Sequence, residues 1–141
     1  RMASAQGLKE VGYFDCAGGG QIRVDGTTAY VGHMANPFGT SIVDVADPKN
    51  PKLLSHIEMP PGTHSHKVHA RGDLMVRNHE LIGPGMPADF HTGVGIYDVS
   101  DKAKPTTRSG AACTASISMA ATCIFLPPWK AFAARSWWSS T

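Results

Sequence analysis

Gly39-Thr40-Ser41-Ile42-Val43-Asp44-Val45-Ala46-Asp47-Pro48-Lys49-Asn50-Pro51 and Val94-Gly95-Ile96-Tyr97-Asp98-Val99-Ser100-Asp101-Lys102-Ala103-Lys104-Pro105 are two copies of one pattern. Ile42 matches Ile96, Asp44 matches Asp98, Val45 matches Val99, Asp47 matches Asp101 and Pro51 matches Pro105, all at a single offset of 54 (96 − 42). Each copy opens with β-branched and aromatic residues, which suit a pleated, half-buried strand. Each ends in Asp and Pro, which turn the chain out of a ladder.

Working outward, a hairpin signal precedes each copy. Val24-Asp25-Gly26-Thr27 separates Gln21-Ile22-Arg23 from Thr28-Ala29-Tyr30-Val31, and Arg71-Gly72-Asp73 separates His66-Lys67-Val68-His69 from Leu74-Met75-Val76. Glycine supplies the positive φ that a tight hairpin needs. After Pro51, the run Leu53-Leu54-Ser55-His56-Ile57-Glu58-Met59 reads as an outer strand. Each unit is then an inner strand, a hairpin, a second strand, a loop, a third strand, an Asp-rich turn and an outer strand. Repetition at this period is the signature of β-propeller blades.

The pattern resembles the LVIVD-repeat family of bacterial and archaeal proteins. The namesake strand corresponds to Ser41-Ile42-Val43-Asp44-Val45 and Gly95-Ile96-Tyr97-Asp98-Val99, and the resemblance covers roughly residues 20–105. It implies a β-propeller, often exported, periplasmic or on the cell surface, without an assigned activity in most members. More loosely, the chain is similar to the selenium-binding protein and methanethiol oxidase propellers, which implies histidines near a central channel that hold copper.

Composition sets outer limits. The chain has 141 residues, 42% of them hydrophobic, and a net charge of +2, which is ordinary for a soluble globular domain and points neither to nucleic acid nor to an anionic membrane. It lacks an apolar run long enough for a membrane-spanning helix. Cys16, Cys113 and Cys123 make neither a CxxC pair nor an even disulfide framework. The 11 acidic residues all lie at or before Asp101, whereas the stretch beyond is rich in Ala, Ser and Thr and holds Trp129, Trp137 and Trp138. The expected organisation is a lead-in at 1–19, a first repeat at 20–60, a second at 61–106 and a non-native tail at 107–141.

Propellers typically close with four to eight blades, so the tail should continue the repeat, and as written it does not. The genetic code permits the repeat if the tail is read one base earlier. Cys113 followed by Thr114 then gives His or Tyr, Met119 followed by Ala120 gives Gly, and the stretch between permits His-Arg-Phe-Asp-Phe-Asp-Gly. That string aligns with His66-Lys67-Val68-His69-Ala70-Arg71-Gly72, an inner strand with its hairpin glycine. Further on, Trp129-Lys130 gives Glu and Trp137-Trp138 gives Val. The expectation is a frameshifted tail.

Chemistry concentrates in Gly62-Thr63-His64-Ser65-His66-Lys67-Val68-His69. Side chains alternate along a strand, so His64 and His66 should project from one face and His69 from the other. Two imidazoles on one face can bind a transition metal, copper or zinc, if a third ligand joins them, and His79, Glu80 and His91 are the candidates. A histidine in a strand is more often simply hydrogen-bonded. The His-x-His spacing is also that of cupins, but the first Glu after it is Glu80, too distant for that motif. Arg71-Gly72-Asp73 reads as a turn rather than a recognition tripeptide, Gly18-Gly19-Gly20 lacks the residues of a phosphate loop, and Gly83-Pro84-Gly85-Met86-Pro87 reads as a connecting loop.

These readings predict an all-β, incomplete β-propeller of about two four-stranded antiparallel blades with an irregular C-terminal tail. The functional expectation is a fragment of a binding or interaction scaffold for a protein or small-molecule ligand, without catalytic residues of its own and inactive when isolated. The alternative is a truncated copper-type oxidoreductase resembling methanethiol oxidase. Open blade edges predict self-association.

Overall fold

The structure is a computed structural model that describes residues 6–35, 37–85 and 92–108. The tail from 109 onward, together with the expectations of irregularity and of a shifted reading frame, lies outside the described residues. Strands β1 (Gly19–Asp25), β2 (Thr28–His33), β3 (Thr40–Asp44) and β4 (Lys52–Ile57) form a four-stranded antiparallel sheet in chain order. Strands β5 (Thr63–His64), β6 (Val68–Arg71), β7 (Leu74–Leu81), β8 (Gly93–Asp98) and β9 (Thr106–Thr107) form a second antiparallel sheet. The described chain is all-β, and no helix in it is long and apolar enough to cross a membrane.

Both hairpins turn on glycine. Asp25 pairs with Thr28 around Gly26-Thr27, and Arg71 pairs with Leu74 around Gly72-Asp73. Gly26 and Gly72 have φ of 58° and 60°, a region that L side chains enter only at a steric cost. They stand 46 positions apart (72 − 26), and that second offset aligns β2 with β7 as the offset of 54 aligns β3 with β8. The Arg-Gly-Asp triplet is thus a hairpin turn, with the Gly72 amide donating to Asp25 Oδ2 at 2.6 Å.

The aspartates of the repeat have a specific task. Asp44 Oδ1 accepts the Ala46 amide at 2.9 Å, and Asp98 Oδ1 accepts the Ser100 amide at 3.0 Å. Asp47 Oδ1 accepts the Lys49 amide at 3.0 Å, and Asp101 Oδ1 accepts the Ala103 amide at 2.9 Å. Such side-chain turns satisfy backbone donors just where the strand ladder stops. The main chain matches as well. The amides of Val45 and Val99 each donate at 2.8 Å, to Thr27 O and Asp73 O, and those of Asn50 and Lys104 close turns onto Asp47 O and Asp101 O. Hydrogen bonds to the turn amides and side chains hold the Asp47 and Asp98 carboxyls below their ordinary pKa; for Asp47 the largest cause is Asn50, and for Asp98 the Ser100 amide.

The sheets pack on one another through a single core. Tyr30 and Ile42 from the first meet Val68, Ala70, Met75, Tyr97 and Val99 from the second, with Leu54 and Ile57 at the margin. Each large apolar side chain so buried contributes about 1.5–3 kcal/mol.

The second sheet has five strands where four were expected, because its inner strand is broken. β5 pairs with Glu80 and Leu81, and β6 pairs with residues 74–77 of the same partner, β7. Between them the backbone turns to other partners: Ser65 O accepts the His33 amide at 3.1 Å and His66 O accepts the Gln21 amide at 3.0 Å, both from the first sheet. The gap is bridged inside the second sheet by Asn78, whose Oδ1 accepts the Lys67 amide at 2.7 Å. Gly32 makes this contact possible, since a Cβ there would stand 2.6 Å from His66 O and 2.8 Å from Ser65 O.

Candidate functional site

The broken inner strand brings three metal-competent side chains together. β5 puts His64 opposite Glu80 in register, and the break at Ser65–Lys67 turns His66 toward the same point. His64 Nε2 lies 2.9 Å from Glu80 Oε2 and 3.1 Å from His66 Nδ1, while His66 Nδ1 lies 3.6 Å from that same carboxylate oxygen. His64 Nδ1 faces the Met34 carbonyl at 3.3 Å, so it carries a proton and its Nε2 is the ring atom turned to the cluster. Lys67 Nζ stands 3.5 Å from the other carboxylate oxygen.

The electrostatics favour lone pairs at this point. Burial, aided by His64 and Lys67, keeps the His66 imidazole below its ordinary pKa despite the opposing effect of Glu80. Burial alone would raise the Glu80 carboxyl, but the hydrogen bonds with His64 and Asn78, together with the charge on Lys67, outweigh it and hold the group below the usual carboxylate range. Two imidazole nitrogens and a carboxylate oxygen thus converge on one point, an arrangement that can share a proton or hold a metal ion.

The other candidates lie elsewhere or beyond view. His79 follows Asn78 on β7 and turns to Tyr97, whose hydroxyl is 3.4 Å from its Nε2. His91 lies outside the described residues. His69 is exposed on β6, away from the cluster.

A second polar network was not anticipated. His33, at the end of β2 and 2% exposed, donates from Nδ1 to Ala17 O at 2.8 Å, which leaves Nε2 to accept from Ser41 Oγ at 2.9 Å. Ser41 Oγ accepts in turn from His56 Nδ1 at 2.9 Å, and Cys16 Sγ lies 3.6 Å from His33 Nε2. Ser41, only 4% exposed, serves as a buried link between the His33 and His56 rings. Burial raises the pKa of the Cys16 thiol, the opposite of a reactive thiolate. Burial, reinforced by nearby His33, lowers that of His56. A signal for His33 did exist: the offset of 46 between the hairpin glycines also aligns His33 with His79.

Arg77, matched to Val31 at that offset, is buried between the sheets at 3% exposure. Its guanidinium donates to Tyr97 Oη at 2.7 Å and to Ile57 O at 3.3 Å, and stacks 4.7 Å above the Tyr97 ring. No carboxylate among the described residues pairs with it, and burial depresses its pKa.

Comparisons with protein families, with characterised proteins and with solved structures found no match to this chain.

Proposed function

We propose that the two sheets are consecutive blades of a β-propeller of the LVIVD-repeat type, and that the chain is part of a repeat scaffold used for binding, derived from an exported or cell-surface protein. One observation carries the reading: the paired hydrogen bonds of Asp44 and Asp98, Asp47 and Asp101, and Val45 and Val99 recur at the offsets that align the strands. Units that share such turns and stack face to face are how quasi-one-dimensional repeat proteins are built.

The stacking supports the same reading. Tyr30 and Ile42 are fully buried beneath the second sheet, whereas their counterparts Val76 and Ile96 are half-buried. A further blade on that face would complete their burial. The experiment is to resequence the locus across the codons for Pro105 to Cys113 and read on in every frame. The expected result is a single-base slip, followed downstream by more hairpin glycines and Asp-Pro turns. An intact frame with no repeat in any alternative frame would overturn the reading.

A further inference from the structure

We infer that His64 Nε2, His66 Nδ1 and Glu80 Oε2 form a three-ligand site for a borderline divalent transition metal of the zinc type, and that the bound ion ties the inner segment of the second sheet to the first. The inference stands on the local geometry and holds whether or not the sheets belong to a propeller.

The ligand atoms are the only His, Cys, Asp and Glu donors among the described residues to gather three within 4.8 Å of one another. Their separations of 2.9, 3.1 and 3.6 Å bracket the roughly 3.4 Å between neighbouring ligands that lie about 2.1 Å from a tetrahedral zinc. Two imidazoles and one carboxylate suit zinc and its neighbours better than calcium or magnesium, which take all-oxygen shells. The outer shell is also that of a metal site. The Met34 carbonyl receives the second ring nitrogen of His64, which fixes the tautomer and aims Nε2 at the centre. Three protein ligands leave a fourth position open for water or a small ligand.

The link between the sheets follows from the backbone. His64 is tied through its ring to Met34, in the loop after β2, while the carbonyls of Ser65 and His66 accept amides from His33 and Gln21 of the first sheet. Glu80 belongs to the second sheet. An ion held by all three side chains therefore fixes the segment 64–66 against both sheets at once.

The test uses the full chain, freed of metal and titrated with Co2+ and then Zn2+. One equivalent of Co2+ should develop visible d–d absorption, and Zn2+ should bleach it by displacement. His66→Ala and the near-isosteric Glu80→Gln should each weaken binding by tenfold or more, whereas His69→Ala should leave it unchanged. Glu80→Gln guards against misfolding, since a native far-ultraviolet dichroism spectrum with lost metal affinity separates the two effects. Zn2+ should also slow hydrogen exchange at the Gln21 and His33 amides in the unaltered chain but not in Glu80→Gln. Failure of Co2+ to bind, or binding that survives Glu80→Gln and His66→Ala because other histidines take the ion, would overturn the site. Binding without slower exchange at Gln21 and His33 would overturn the tie.

Discussion

The central strands of the first sheet are buried on both faces and those of the second mainly on one, although the two sheets are built to the same pattern. Every residue of β2 is buried, as are four of the five in β3, whereas in β8 buried Gly95 and Tyr97 are flanked by half-buried neighbours. Local chemistry, meaning the glycine hairpin and the aspartate turns, is therefore independent of what covers the sheet. Burial is not local: the second sheet covers the Tyr30 and Ile42 side of the first, and no further unit among the described residues covers the Val76 and Ile96 side of the second. This division is expected of repeat proteins, in which each unit has an intrinsic stability plus an interface term.

The largest effect that follows is a contrast between matched residues. Ile42→Ala should destabilise the chain by about 2–5 kcal/mol, the usual range for emptying a filled core site. Ile96→Ala, at the matched but half-buried position, should cost less than half as much. Equal losses in chemical denaturation would break the comparison by showing that the faces are equally covered.

A smaller effect distinguishes Gly32 from Asn78, which match at the offset of 46. A methyl group on Gly32 meets the backbone carbonyls of Ser65 and His66, neither of which can swing aside, so Gly32→Ala should cost about 1–3 kcal/mol through a forced shift of the sheets. Asn78→Ala removes the bond to the Lys67 amide and should cost about 1 kcal/mol. A neutral Gly32→Ala, measured the same way, would show that the sheets do not approach as closely at that point.

The smallest effect is pH-dependent and, in the first sheet, rests on His56. His56 takes up a proton less readily in the folded chain than in the unfolded one, where its pKa is about 6.5. The unfolded state therefore binds the proton first as the pH falls. This contribution to stability is fully present above about pH 6.5 and declines as the pH drops from there toward the depressed folded value. Melting curves should show the decline, and His56→Gln should reduce it, with half-buried His66 supplying the remainder; an unchanged slope in the variant would assign it wholly to other groups.

Much of the fold was legible because its determinants are local. The β-branched runs, the glycines at 26 and 72 and the aspartates of each turn act on residues a few positions away, so strands and hairpins follow from adjacent chemistry. The break in the inner strand was not legible. It arises because the carbonyls of Ser65 and His66 find partners in the first sheet and the amide of Lys67 finds Asn78, contacts that exist only after the sheets have docked. The same holds for the site. Strand alternation put His64 and His66 on one face of an unbroken strand, whereas it is the break after β5 that turns His66 to His64, and the selection of Glu80 over its neighbour His79 depends on the register of β5 against β7. His33, Ser41, His56 and Cys16 come from separate elements, and only the match of His33 with His79 hinted at any of them.

The central claim is that the two sheets are one structural unit repeated, and residue-level hydrogen exchange on the full chain tests it most directly. The account predicts matched protection of the Val45 and Val99 amides, each held by the carbonyl of a hairpin residue, and of the Asn50 and Lys104 amides that close the aspartate turns. Protection at Val45 and Asn50 with free exchange at Val99 and Lys104 would contradict it.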